Sequence, residues 1–438
     1  MALGRSRPAV EDGPGPGDAL APDLTGPGVE LPAPFDPFGP LRSAGWIWRC
    51  HGNMPGCSRS GSGGDVLFGL LGQRQGQLPA LTVPGSCVGR RCHGPMLPGG
   101  CNKGDMTLEH QTPGSAPPSP RYGITVPFDG ISLQEHRRLY EELVALGYTD
   151  IWSAETDGLD GFTPLTLAAA WQPTLRLGVA IIPAYTRGPG LLAQSVAAMA
   201  EAAPGRFMFG LGTSSDVIVS RWNGIGFSEP YKRVRDTIRF LRSALAGEKV
   251  DHEYETFTVK GFRLARPVEN PPPIYLAALR PGMLRLAGRE ADGVIINWLS
   301  AEDVATVKPE VGADIPVVAR IFVIPTEDAE MARMIGRRMI TAYLNVAVYA
   351  EFHRWLGRGD VLEPMWRHWK EGDRKAALAA IPDEVVDALV VHGSFEECRR
   401  HVGRYVAHGV DIPVMAVIPV GMTIEEAMVG LAPPWNAG

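Results

Sequence analysis

Several features that would point to a function are missing from this 438-residue chain. Basic residues do not dominate, because 42 Lys and Arg stand against 48 Asp and Glu and leave a formal net charge of −6. This balance argues against a nucleic-acid partner, which would normally require a basic surface. No apolar run approaches the roughly 20 residues that cross a bilayer, and the first ten residues lack the apolar core of a signal peptide. We therefore expect a cytoplasmic protein without membrane or nucleic-acid partners.

Motifs for metal or nucleophilic chemistry are missing as well. The sequence has no H-E-x-x-H pair, no Walker loop and no carboxylate cluster suited to a metal. Five of its six cysteines lie in the first quarter of the chain without the paired C-x-x-C spacing of a zinc site, and an odd number argues against a disulfide framework. They are Cys50, Cys57, Cys87, Cys92 and Cys101. We expect no metal site.

Residues 1–120 differ in composition from the rest of the chain. Roughly one-third of them are Gly or Pro, which is typical of segments that do not fold. The apolar patches in this stretch are short and isolated, so the sequence predicts a disordered leader. Met106 lies shortly before the first convincing strand, and a start codon placed too far upstream would explain the change in composition.

From residue 122 onward, short apolar runs alternate with helical patterns. Such runs, with turn residues on both sides, are typical of parallel strands buried on both faces. Helix starts are marked by capping boxes at Ser132 and at Ser394. A hairpin is predicted at 255–264. The predicted strands cover residues 122–127, 149–154, 175–182, 207–211, 274–279, 293–296, 316–323 and 412–417.

Eight strand–helix units in about 300 residues favour an α/β fold of the (β/α)8 TIM-barrel type over 121–425, with a tail over 426–438. A doubly wound open sheet is the alternative, but the chain lacks a glycine-rich fingerprint after its first strand. Residues 329–389 read mainly as helix and are too long for one crossover, so they predict a late helical insertion. Its Trp355, Trp366 and Trp369 could form a lid or a subunit contact, which leaves a homodimer as one expectation.

The predicted active site lies at the carboxyl ends of the barrel strands. There Gly212, Thr213 and Ser214 offer backbone N–H groups and hydroxyls with little bulk, which suits a phosphate or the edge of a flavin. The alternative is that they only form a tight turn between strand and helix. The strand ends hold small residues and few nucleophiles, so an organic cofactor that supplies the chemistry is favoured.

Glu155 and Asp157, after the second strand, are the candidate catalytic acids. They could hydrogen-bond a cofactor ring or transfer a proton. The alternative, given equal weight, is that they cap the turn that follows the strand.

The sequence resembles the luciferase-like flavin barrel superfamily, in particular its coenzyme F420-dependent branch. The resemblance spans about residues 122–419. It is carried, in order, by residues 147–155, 177–183, 204–214, 273–279 and 291–298 and by the helix start at Gly393 and Ser394.

The resemblance implies a deazaflavin bound over the barrel mouth and an oxidoreductase that moves a hydride between F420 and an organic small-molecule substrate. The ring would rest on a bulge at Ala180 and Ile181, where relatives often carry a non-prolyl cis peptide. The remaining implied cofactor contacts are Gly212, Thr213, Ser214, Ala278, Leu279, Arg280, Pro281, Gly282, Gly393 and Ser394.

Two departures from the family pattern bear on substrate and cofactor contacts. Arg280, Pro281 and Gly282 stand where relatives often have Gly-Pro-Lys, so the cation is shifted by two places. Thr156 stands where the sugar-phosphate dehydrogenases of the family have a histidine, which argues against their substrate. The alternatives are an FMN-dependent monooxygenase and a non-catalytic deazaflavin-binding protein.

Overall fold

The structure is a computed structural model that describes residues 121–435. The leader and the five cysteines predicted to be unpaired lie outside these described residues. The strands are β1 Gly123–Thr125, β2 Asp150–Ser153, β3 Arg176–Val179, β4 Ile182–Pro183, β5 Phe207–Gly212, β6 Val250–Glu253, β7 Thr258–Phe262, β8 Ile274–Ala277, β9 Gly293–Asn297, β10 Val317–Pro325, β11 Val391–Gly393 and β12 Ile412–Val417.

Helices follow most of these strands. They are α1 His136–Ala145, α2 Thr163–Trp171, α3 Pro189–Ala202, a π-helix Val217–Trp222, α4 Pro230–Leu245, α5 Pro281–Glu290, α6 Val304–Val311, α7 Ala329–Leu344, α8 Ala347–Trp355, α9 Gly359–Glu371, α10 Arg374–Ala379, α11 Asp383–Leu389, α12 Phe395–Ala407 and α13 Ile424–Gly430. None of these helices combines the length and apolar character needed to span a bilayer.

The sheet closes into a barrel of eight parallel strands. Its circular order is β12, β1, β2, β3, β5, β8, β9 and β10, and β10 pairs back onto β12. Short β4 extends the sheet beside β5, and β11 pairs with the end of β10. The predicted (β/α)8 barrel is therefore confirmed, and the open-sheet alternative is excluded.

Side chains of the strands alternate between the helix layer and the barrel interior, because successive residues of a strand face opposite sides. On β10, Val317, Ala319 and Ile321 pack in the core beneath the helices, whereas Val318 packs inside the barrel. Because both faces are dry, the strand reads as a continuous apolar run.

The barrel interior is filled from its amino-terminal end. There Arg121 forms an ion pair with Asp150, whose side chain is fully buried. Above them Trp152 lies across the axis and packs edge to face with Tyr275 at 6.2 Å between ring centroids. A Cβ built on Gly178 would stand 2.3 Å from the Trp152 indole, so the glycine makes room for it. The lower barrel is thus a packed floor beneath the mouth.

The helical insertion predicted over 329–389 is present as α7 to α11. These helices enclose a second apolar core that also takes in Trp298 and Phe322 from the ends of β9 and β10. Trp366 packs in that core and donates its indole N–H to the Leu344 carbonyl at 2.8 Å. The insertion is therefore seated on the β9–β10 side of the barrel mouth.

Several local predictions differ from the structure. The third strand breaks after Val179 and resumes at Ile182 as β4. The hairpin pairs β6 with β7, so it begins earlier than predicted, and buried Asp236 fixes its turn by accepting the Thr256 N–H at 3.0 Å. The first predicted capping box is incomplete, since the Ser132 hydroxyl donates to Glu135 and α1 begins only at His136.

The predicted boundary at residue 425 falls inside α13. Beyond that helix Trp435 is buried and packs edge to face against Tyr122 and Tyr148, at 5.1 and 6.0 Å between ring centroids. Its indole N–H donates to the Leu431 carbonyl at 2.8 Å. The described residues after 425 therefore belong to the packed barrel.

Candidate functional site

The barrel mouth is divided into a side of small residues and a side of long polar ones. Strand alternation places one inward-facing residue at the carboxyl end of each strand. On one side of the mouth these are Thr125, Ala154, Ala180, Gly212 and Ala277, whereas β9 and β10 present Asn297 and Arg320. The small side therefore places no bulky side chain above the Trp152 floor.

The bulge between β3 and β4 forms the wall of the small side. The Ala180–Ile181 peptide is cis, as the resemblance implied for this place. Gly212 faces this bulge, and a Cβ built on it would lie 2.8 Å from Ile181 Cγ1 and 3.2 Å from Ala277 Cβ. Only glycine therefore fits against the bulge without moving it.

The loop after β5 presents backbone groups at the rim. Thr213, Ser214 and Ser215 are half-buried, and Ser214 has a φ of 61°, a conformation uncommon for residues other than glycine. The Ser215 hydroxyl accepts the Ile218 N–H at 3.3 Å and helps to start the π-helix. The loop forms the turn that the alternative interpretation predicted, and ligand binding by Gly212, Thr213 and Ser214 stays a prediction.

The two helix starts predicted to contact the cofactor differ in their free donors. Helix α5 begins at Pro281 after exposed Arg280 and has no side-chain cap, so its first N–H groups remain for a ligand. At α12 the Ser394 N–H already donates to Glu397 at 2.8 Å in a complete capping box. The amides of α5 are therefore better placed to bind an anion than those at Gly393 and Ser394.

Glu155 is held between two loops of the mouth. Its carboxylate lies 2.5 Å from the Arg187 guanidinium and accepts the Gly161 N–H at 3.1 Å. Both side chains of the ion pair are mostly buried, at 16% and 17% exposure. Asp157 is exposed and accepts the Thr156 hydroxyl at 3.0 Å. These contacts account for Glu155 as a link between loops, and a catalytic role for either acid stays a prediction.

A polar cluster at the β9–β10 side was missed from the sequence. Arg320 projects from β10 over the Phe322 ring, 5.0 Å from its centroid, and interacts with the Tyr343 hydroxyl. The Asn297 side chain lies 3.3 Å from the Tyr349 hydroxyl. The sequence signal that could have revealed this cluster was one charged residue, Arg320, inside the otherwise apolar strand 317–325. The two tyrosines come from the insertion, and no pattern in their surrounding sequence pointed to the mouth.

Burial keeps the phenols of this cluster protonated. It raises the pKa of Tyr349 to about 12, while the bond to Asn297 acts in the opposite direction. Burial also raises the pKa of Tyr343, against the opposing charge of Arg320. Both hydroxyls are therefore proton donors at neutral pH, beside an arginine.

A small cavity connects the two sides of the mouth. It is lined by Thr125, Trp152, Ser153, Ala154, Ala180, Ile295, Val318, Arg320 and Val414. Three polar atoms in this wall are buried without a hydrogen-bond partner among the described residues: Thr125 Oγ1, Trp152 Nε1 and Arg320 Nε. Between residues 121 and 435, no group of three or more His, Cys, Asp or Glu side chains is placed to hold a metal ion. The three unpartnered atoms therefore surround a cavity of about 10 Å³, the size of one water molecule.

The closed barrel and its bulged third strand define a (β/α)8-barrel protein with a candidate site at its mouth. Residues 106–411 match the family described as luciferase-like monooxygenase. Because that stretch is more than half of the chain, the protein belongs to this family.

Two curated relatives of the chain are named as an oxidoreductase and a reductase. A Mycobacterium tuberculosis protein, provisionally named a coenzyme F420-dependent oxidoreductase, is 25% identical over 313 residues, covering 64% of this chain and 90% of its own. The 5,10-methylenetetrahydromethanopterin reductase of Methanolobus tindarius is 24% identical over 326 residues, covering 70% and 97%.

A solved structure shares the fold. The coenzyme F420-dependent tetrahydromethanopterin reductase of Methanopyrus kandleri aligns with a TM-score of 0.60 at 20% identity, and the alignment covers 71% of this chain and 97% of that one. At this identity the likeness supports the barrel architecture.

Proposed function

We propose that the protein is an F420-dependent oxidoreductase acting on a small organic substrate. The observation that carries the proposal is the small-residue side of the mouth, where the Ala180–Ile181 bulge packs so closely against Gly212 that a Cβ there would lie 2.8 Å from Ile181 Cγ1. Membership of the luciferase-like family and the F420-linked relatives support an oxidoreductase. When bound, the deazaflavin would supply the hydride chemistry, so the protein itself needs no strong nucleophile.

The residues present fit such a cofactor. Ile181 and Ala180 offer an apolar wall for one face of a ring, and Gly212 lets the Ile181 side chain pack directly against the end of β5. The uncapped first amides of α5, beside Arg280, suit the phosphate of the cofactor tail. Thr125 Oγ1 and Trp152 Nε1 lack partners within the described residues, but both are buried beside a cavity of only about 10 Å³, so a flavin-sized ring does not reach them there.

The roles of the chain's own residues follow from their contacts. The bulge orients a ring, and the loop at Thr213 and Ser214 with the start of α5 binds the tail. Glu155 and Arg187 hold the loops that follow β2 and β4 at a fixed separation. The phenols of Tyr343 and Tyr349 remain able to donate a proton at the side of the mouth that faces the bulge.

An FMN-dependent monooxygenase is the second candidate, because the family description names monooxygenases. Flavin and deazaflavin differ at one ring position, and the mouth contacts described above do not distinguish nitrogen from carbon there. A deazaflavin-binding protein without catalysis is the third, and only turnover separates it from the first.

Separate titrations of the full chain with F420 and with FMN, followed by fluorescence, test the proposal. We expect saturable binding of F420 and much weaker binding of FMN. Saturable binding of FMN alone would overturn the F420 assignment. Binding of F420 without turnover across a panel of hydride donors and acceptors would instead favour the non-catalytic protein.

A further inference from the structure

Arg320 is a cation without a counter-ion at the barrel mouth. Two other arginines of this region lie against carboxylates, Arg187 at 2.5 Å from Glu155 and Arg358 at 2.8 Å from Asp303. Arg320 makes no ion pair with any described residue, and its Nε is buried without a hydrogen-bond partner there. A half-buried guanidinium is costly unless an anion pairs with it. A ligand can supply that anion.

Most groups around Arg320 are hydrogen-bond donors, although the charge of the exposed Asp157 carboxylate also acts on Tyr343. The phenols of Tyr343 and Tyr349 stay protonated because burial raises the pKa of each. The Asn297 amide lies beside Tyr349, and Thr125 Oγ1 is unpartnered in the wall of the same cavity. A guanidinium surrounded by neutral donors is chemistry suited to an oxyanion.

Topology places Arg320 opposite the bulge. Strands β3 and β10 are separated by four positions in the closed ring of eight, so they face each other across the axis. The cavity between them is lined by Ala180 on one side and Arg320 on the other. A ring resting on the bulge would therefore leave its open face toward Arg320.

We propose that Arg320 binds an oxyanion of the substrate, a carboxylate or a phosphate ester, with Asn297, Tyr343 and Tyr349 completing the subsite. This inference rests on the proposed function, since it assigns the substrate class of the same mouth. The planar guanidinium can bind two oxygens of either group at once, which would fix the orientation of the substrate above the ring.

The test is an anion-binding measurement on the full chain without F420. Melting temperature is recorded against acetate, inorganic phosphate and the uncharged analogue acetamide, with ionic strength held constant by chloride. The variants are Arg320→Gln, Arg320→Lys and Arg280→Gln, the last of which tests the start of α5 as a competing anion site. The matched control is Arg176→Gln, an exposed arginine at the amino-terminal end of β3 and so away from the mouth. F420 titrations of all chains run in parallel.

We expect saturable stabilisation by acetate or by phosphate, but not by acetamide, in the wild-type chain and in Arg176→Gln. Arg320→Gln should weaken it at least about tenfold, the loss of one charge-assisted contact. Preference for acetate indicates a carboxylate substrate, and preference for phosphate indicates a phosphate ester. If Arg320→Gln does not fold, Arg320→Lys provides the test instead. The lysine ammonium cannot contact two oxygens as the guanidinium does, so this variant should bind the anion about threefold more weakly or worse.

Equal binding by the wild-type and Arg320 variants would overturn the proposal. The absence of saturable binding in the wild-type chain would also overturn it. Loss of binding in Arg280→Gln alone would place the anion at α5 and count against Arg320. Failure of F420 to bind any chain would instead refute the proposed function, whatever the anion results.

Discussion

Replacing Gly212 by valine should damage cofactor binding more than it damages stability. Gly212 ends β5 and faces the bulge, where its added Cβ would lie 2.8 and 2.9 Å from Ile181 Cγ1 and Cδ1 and 3.2 Å from Ala277 Cβ. Carbon atoms normally approach to about 3.5–4.0 Å. Ile181 must therefore move by more than about half an ångström, and the two valine methyls add bulk at the mouth.

The expected loss of stability in Gly212→Val depends on how easily the neighbouring atoms can move. Inserted methyl groups in a packed site cost about 1–3 kcal/mol. Because Ile181 is half-buried and its side chain can rotate, we expect the low end of that range, a fall in melting temperature of about 2–4 °C. Displacement of Ile181 reshapes the wall for the cofactor ring, so the affinity for F420 should fall by about 10- to 100-fold, or about 1.4–2.8 kcal/mol.

Two other glycines provide controls for this prediction. Gly226 is exposed with nothing within 4 Å of an added Cβ, so Gly226→Val should change neither melting nor F420 affinity. An added Cβ on Gly210 would stand 1.9 Å from the Val179 carbonyl oxygen, which is backbone and cannot rotate away. Gly210→Ala should therefore unfold the barrel. Insoluble Gly212→Val, or F420 affinity equal to wild type, would refute the reasoning.

Three further predictions concern the loops, a buried histidine and the leader. Glu155→Gln and Arg187→Gln should each lower the free energy of unfolding by about 1–3 kcal/mol. This value lies between the losses typical of exposed and of buried ion pairs. In urea unfolding, the double variant should lose less unfolding free energy than the two single variants lose together. Additive losses would contradict the ion pair. Burial lowers the pKa of His353 to about 3, whereas the pKa of a histidine in the unfolded chain is about 6.5. The contribution of neutral His353 to the free energy of unfolding is therefore complete above about pH 6.5 and declines as the pH falls toward about 3. Between pH 7.5 and pH 5, the wild-type chain should lose about 2 kcal/mol more of its unfolding free energy than His353→Asn, and parallel pH profiles would contradict this. A chain beginning at Met106 should melt like the full chain, because Gly- and Pro-rich sequence buries little apolar surface; a loss of several degrees would show that the leader packs on the barrel.

The barrel could be predicted because its evidence is local. Each strand is a short apolar run with turn residues beside it, and a run of eight such units with helices between them has few architectures available. The last strand, Ile412–Val417, and the insertion, 329–389, have the predicted bounds. The hairpin was displaced because a long-range contact, the Asp236 carboxylate on Thr256, decides where it turns.

The mouth was predicted only in part, because its residues meet through the closure of the barrel. Gly212 and the bulge at Ala180 were identified from small residues at strand ends and from the resemblance. Arg320 was overlooked as one charge within an apolar run. Tyr343 and Tyr349 could not be found from their sequence neighbourhood, since the packing of the insertion core around Trp298 decides what they face.

This arrangement separates two tasks by strand. The small-residue side is built by β2, β3, β5 and β8, whose loops are fixed by the Glu155–Arg187 pair and the Gly212 contact. The polar side is built by β9 and β10 and by the helices inserted after β10. Since the insertion has its own apolar core, changes on its inner surface can alter the groups around Arg320 while the bulge stays as it is. Under the proposed function, substrate selection and cofactor binding can therefore vary independently on one barrel.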